Sequence, residues 1–236
     1  MGSPDPSDRG LRAATRAATV DGIFYPAERQ TLEARLEQLL AEAALPAPDP
    51  RTYALITPHA ALDCAGAVAA AAFRSVSTRR PATAVLLGPM HRDAPEAVVA
   101  PESVCFQTPL GSLPVDREIL AELQASLPAR AWLRTDDIPH LEEHCLEVQL
   151  PFLQRLFPDL HIVPLLVGKP SLRLVELLGE RLWEVFSPRL ESTLFVATTN
   201  LSGPPGCRRR FLRRVLAADW RRITAESGRR TACSCG

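Results

Sequence analysis

Lysine is almost missing from this chain of 236 residues: Lys169 is the one lysine, and arginine supplies nearly all the positive charge. With 27 basic and 27 acidic side chains the formal charge is zero, so no overall field draws a polyanion or an acidic membrane surface. Nucleic-acid binding is therefore excluded as a starting point. Long apolar runs are missing as well. The longest, such as 162–167, fall far short of the roughly 20 residues a membrane helix needs, so nothing is expected to span a bilayer. Residues 1–18 carry Ser, Pro, Asp and Arg without a continuous apolar stretch, which is wrong for a secretory leader and predicts a disordered N-terminal arm. Cysteine is sparse: six over the whole length exclude a small disulfide-stapled framework. Without an export signal they are expected to be reduced, in a cytoplasmic protein.

What is present is apolar content of 46%, enough for one sizeable core, and a single domain is expected over 19–236. Strand-like runs at 53–57, 83–87, 97–100, 161–167 and 193–198 alternate with helical patterns at 32–43, 65–73, 116–126, 143–157, 171–186 and 208–223. Pro151 is expected to kink or break the fourth of these helices. Several strands are continuously apolar, as strands covered on both faces are. The pattern predicts an α/β fold with a mostly parallel central sheet flanked by helices on both faces. No internal repeat or long linker interrupts it. The arginines of 208–223 accompany an apolar stripe and read as the wet face of an amphipathic helix.

Chemistry concentrates at strand ends. His59 ends the first strong strand in Thr57-Pro58-His59, and His91 follows the next in Gly88-Pro89-Met90-His91. In an open parallel sheet the ligand crevice lies outside the carboxyl ends of the strands, so the two imidazoles can converge there. Neutral imidazole is the commonest ligand for iron, copper, zinc and nickel, which makes convergence a reason to expect a metal. Either histidine alone also fits a strand-end residue bonded to a nearby carbonyl; the matched contexts favour the shared site.

A second cluster, His140-Leu141-Glu142-Glu143-His144, admits two placements. On one continuous helix, His140 and His144 share a face and the run reads as H-x-x-E-H, the inverted zincin pattern of a zinc metallopeptidase with Glu143 as its base. Alternatively a helix begins near Glu142, and His144 in its first turn points at the strand ends as a polar wall of the crevice.

The segments Pro58-His59-Ala60-Ala61-Leu62-Asp63-Cys64-Ala65-Gly66, Gly88-Pro89-Met90-His91, Thr108-Pro109-Leu110-Gly111 and Glu143-His144-Cys145-Leu146-Glu147-Val148-Gln149-Leu150-Pro151-Phe152-Leu153-Gln154 resemble the Memo family, whose prokaryotic members are called AmmeMemoRadiSam system protein B. Gly22-Ile23-Phe24-Tyr25-Pro26 is similar to its opening G-x-F-Y-P, so the resemblance runs from about Thr19 onward. It implies a class III extradiol dioxygenase-like fold with metal ligands at His59, His91 and Cys235. It also implies that His144 supports substrate or metal from the pocket wall, and that radical SAM and AMMECR1-type proteins are partners. The chain departs from the pattern where S-S-D-x-x-H is expected: Asn200 stands in place of the acid and Gly203 in place of the histidine.

An iron dioxygenase needs two histidines and a carboxylate, and neither Asp63 nor Asn200 supplies a convincing acid. Two histidines with thiolate suit copper or zinc better, with iron the third candidate. The leading expectation is a metal-binding, oxidoreductase-like protein of Memo type. Beside it stand a catalytically decayed binding or scaffold relative and the zinc peptidase.

Overall fold

The computed structural model describes residues 15–43, 47–92, 94–125, 132–201 and 205–226. Its centre is a six-stranded sheet built from β2 (Ala54–Thr57), β3 (Thr83–Pro89), β4 (Val98–Ala100), β7 (Leu133–Thr135), β8 (His161–Val167) and β9 (Thr193–Thr198), in the order β2-β9-β3-β8-β4-β7. Every neighbouring pair is parallel except β8 with β4, so the expected mostly parallel sheet is present with one reversed edge. β3 is buried at nearly every position, as a strand covered on both faces must be.

Eight helices flank the sheet among the described residues: α1 (Arg29–Glu42), α2 (Leu62–Arg74), α3 (Arg117–Ala125), α4 (Asp137–Glu142), α5 (Leu150–Leu156), α6 (Leu172–Phe186), α7 (Pro205–Leu216) and α8 (Trp220–Glu226). α1, α2 and α5 pack on one another, and α6 packs against both α3 and α8. Caps fix several starts. The Glu28 carboxylate accepts from the amides of Gln30 and Thr31, and Ser171 accepts from Leu174. Between α2 and α5 the rings of Phe73 and Phe152 stack at 5.1 Å.

A second, three-stranded sheet, absent from the sequence reading, joins β1 (Thr15–Arg16), β5 (Cys105–Thr108) and β6 (Gly111–Pro114) in the order β1-β5-β6. β5 and β6 form a hairpin around Pro109 and Leu110, closed by Gly111 at φ +128°, which only glycine adopts readily.

Four expectations are corrected. The disordered arm does not extend to residue 18, because Thr15 and Arg16 pair with β5 and Arg16 is buried; residues 1–14 lie outside the described residues. The helix expected at 143–157 is shorter: residues 143–146 are not helical, and a 3-10 turn at Glu147–Gln149 leads into α5 (Leu150–Leu156), where Pro151 sits in the first turn rather than kinking the helix. The helix expected at 208–223 is two helices. Ala218 takes a left-handed φ of 51°, and the Asp219 amide donates to the Arg214 carbonyl at 2.9 Å, which closes α7 with a left-handed cap. Cys64, Cys105 and Cys145 are free, as expected, but Cys207 is disulfide-bonded. No described helix is long and apolar enough to cross a membrane.

Candidate metal centre

β2 and β3 are not adjacent; β9 lies between them, with Thr57 in register with Thr198 and Leu87 with Ala197. The three strands therefore finish side by side. The chain leaving β2 carries His59, the chain leaving β3 carries His91, and the end of β9 sits under both. Gly88 lets a third segment come down on this edge. A Cβ there would lie 2.6 Å from Leu146 Cδ2 and 2.7 Å from Cys145 Sγ, so the absence of a side chain makes room for the stretch that carries His144.

The three imidazoles meet. Ring centroids are 5.2 Å apart for His59 and His91, 5.2 Å for His91 and His144, and 5.7 Å for His59 and His144. One ion about 2.1 Å from each ligating nitrogen sets imidazole centroids roughly 4.5–5.5 Å apart; the two pairs that include His91 fall in this range, and the His59–His144 pair lies just beyond it. Among the described residues, the ligand atoms that all lie within 4.8 Å of one another are those of His91, Glu143 and His144; His59 stands at the edge of this group rather than in it. His59 is fully buried, His144 half-buried, and His91 forms the wall nearest solvent.

Each ring is held from behind. The Thr198 hydroxyl donates to the Thr57 carbonyl at 3.0 Å, which leaves its lone pair to accept the Nδ1 proton of His59 at 3.0 Å and makes Nε2 the unprotonated nitrogen. Gln149 pins the same turn. Its Oε1 accepts from Thr57 Oγ1 at 2.9 Å and its Nε2 donates to the Pro58 carbonyl at 2.9 Å. Asn200 Oδ1 accepts the His59 amide at 3.0 Å.

His91 is held by Glu143, whose carboxylate receives both its backbone amide and its Nδ1, the latter at 2.8 Å. Burial alone would raise the Glu143 carboxyl, but the two His91 hydrogen bonds and the nearby imidazole charge hold it below the usual carboxylate range. The pKa of His144 is lowered by burial and then by the His91 and His59 charges, which favours the neutral, ligating imidazole. Phe24, from the Gly22-Ile23-Phe24-Tyr25-Pro26 segment, packs its ring 4.6 Å from that of His144.

Of the two placements for His140 and His144, neither holds entire. α4 ends before His144 and Glu143 is extended, so the two histidines do not share a helix face. His140 turns inward, donates Nε2–H to the Val99 carbonyl at 3.0 Å and packs on Phe106, remote from the imidazole cluster. The zinc peptidase arrangement is thus corrected: its helix is too short. A helix starting near Glu142 is absent too, yet His144 faces the strand ends as that placement required.

The sequence reading missed Glu143 in its role as the acid beside His91, together with Thr198, Gln149 and Arg16. Glu143 and Gln149 were visible in the run from Glu143 to Gln154; nothing marked Thr198 or Arg16. Asp63 is exposed and paired with Arg35 at 3.2 Å, away from the cluster. Cys235 and Gly203 lie outside the described residues.

An apolar cavity of about 430 Å³ lies between the sheet and the helices α6 to α8, lined in part by Gly88, Thr198, Leu178, Phe211 and Trp220; none of His59, His91, Glu143 and His144 lines it.

Comparison with known proteins identifies the family. A profile of the Memo-like protein family matches residues 16–211. The chain is 31% identical to a MEMO1 family protein of Caldivirga maquilingensis over 196 residues, covering 80% of this chain and 68% of that one. It is 32% identical to a MEMO1 family protein of Thermotoga neapolitana over 198 residues, covering 79% and 70%. Against a MEMO1 family protein of Thermococcus onnurineus the identity is 32% over 190 residues, covering 78% and 64%. The matched span takes in both strand-end histidines, the Glu143-His144 pair and the sheet that presents them, and on these grounds the chain belongs to the Memo-like protein family.

Proposed function

We propose that this protein binds a redox or Lewis-acid metal ion with His59, His91 and His144 and acts as a metal-dependent, oxidoreductase-like protein. The observation that carries the proposal is the mutual approach of three imidazoles, each pair of centroids within 5.7 Å. The donor set suits the group: neutral imidazoles are ligands for iron, copper and zinc. Bound there, the ion supplies Lewis acidity and, if iron or copper, a change of oxidation state.

The remaining work belongs to the chain's own residues. Thr198 fixes the His59 tautomer, and the Glu143 carboxylate holds the Nδ1 proton of His91. Glu143 also brings the negative charge that the sequence reading did not find at Asp63 or Asn200. The proposal extends to radical SAM and AMMECR1-type partner proteins and to a cytoplasmic location.

Metal analysis after loading with iron, copper or zinc tests the reading. Wild type and His140→Ala retain one ion per chain, and His59→Ala loses it. A wild type that takes up no metal, or a His59→Ala variant that keeps it, overturns the proposal. A second reading, a Memo-like scaffold without turnover, is favoured by Asn200, whose amide oxygen serves the His59 backbone where an acid is expected. It predicts metal binding without any redox cycling of the bound ion.

A further inference from the structure

We infer that Arg16 is a positioning residue that ends α4 and so aims Glu143 and His144 at the imidazole cluster; the inference rests on the metal-site reading above. Arg16 lies in β1 and is only 2% exposed, a place where a charge is costly unless fully partnered. Partners surround it. One Nη donates to Glu147 at 2.6 Å, Nε to the His140 carbonyl at 2.6 Å, and the other Nη to the Glu143 carbonyl at 2.9 Å and to Thr19 Oγ1 at 3.2 Å. The guanidinium also lies over the Phe106 ring, 5.0 Å from its centroid.

The identity of the two carbonyls matters. In an α-helix each amide bonds the carbonyl four residues back, so a helix running on past Glu142 would place the His144 amide on His140 O and the Glu147 amide on Glu143 O. Arg16 serves both of those oxygens. Glu143 instead takes φ −103° and ψ 134°, turns its carboxylate to His91, and leaves His144 in the loop that reaches the strand ends. Glu147 locks the arrangement, since its carboxylate also accepts the amides of Thr19 at 3.0 Å and Val20 at 3.1 Å and the Tyr25 hydroxyl at 2.5 Å. A buried arginine from the first strand thus selects the crevice geometry over the continuous helix that His140 and His144 would share.

The test uses the full chain and Co2+ as probe, with affinity measured by chelator competition and site geometry by the visible absorption of the bound ion. Arg16→Met and Arg16→Lys both weaken binding by about 10-fold or more and shift the cobalt spectrum. Arg16→Lys keeps the charge opposite Glu147 but, with one nitrogen in place of the fork of three, cannot reach Glu147 and both carbonyls as Nε and the two Nη do, and it answers the question if Arg16→Met does not fold. The control is Leu36→Ala, a core change in α1 that lowers thermal stability without touching this network; its affinity and spectrum stay as in the wild type. Wild-type cobalt binding in Arg16→Lys, or equal losses in Leu36→Ala, overturns the inference while leaving the metal site standing. Failure of the wild type to bind cobalt overturns the metal reading itself.

Discussion

Glu143 meets His91 twice: one carboxylate oxygen lies 2.8 Å from the ring Nδ1 and the other receives the same residue's backbone amide. The pair joins the end of β3 to the residue just past α4, two segments about fifty positions apart in the chain. It fixes both the orientation and the tautomer of the His91 imidazole, as carboxylates behind metal-ligating histidines do.

Glu143→Gln removes the charge while keeping the shape. The metal affinity is expected to fall about 10- to 100-fold with the fold intact, measured by chelator competition alongside circular dichroism. Unchanged affinity would mean that the carboxylate is incidental to the site.

His140 provides a pH signature. Burial, opposed by the hydrogen bond to Val99 and reinforced by the Arg16 charge, pushes its pKa down to about 4 from 6.5. The unfolded chain therefore binds more protons in this window, so the associated stability is fully present above pH 6.5 and is lost as the pH falls toward 4. Its size is up to about 3 kcal/mol. In metal-free protein, His140→Leu flattens this part of the stability curve in denaturant titrations, and it still binds metal; a slope identical to wild type counts against the assignment.

Gly88→Ala tests the close approach at the β3 edge. The added methyl meets Leu146 and Cys145, both buried, so the cost is about 1–3 kcal/mol of overpacking. Because the displaced stretch carries His144, metal affinity falls as well. A variant with wild-type melting temperature and affinity would show that the segment yields freely.

Phe152→Ala opens a void against Phe73 in the helical layer of α1, α2 and α5. Equilibrium denaturation is expected to show a loss of about 3–5 kcal/mol. A loss below 1 kcal/mol would mean that this stack is not part of the core.

The sequence by itself determined the alternation of apolar strands with amphipathic helices, hence the α/β sheet, and the delivery of His59 and His91 to strand ends, because both follow from periodicity and from chain direction. It also marked the stretch from Glu143 to Gln154, where residues near in sequence act together. Only the tertiary structure decided three matters: that β9 separates β2 from β3, that β4 runs backward beside β8, and where α4 stops. The last shows why. His140 and His144 satisfy a local rule for sharing a helix face, but two carbonyls of that segment are taken by Arg16, more than a hundred residues earlier. Local pattern states what a segment can form; a buried charge arriving from elsewhere in the chain, which must be neutralised where it lands, settles which form it takes.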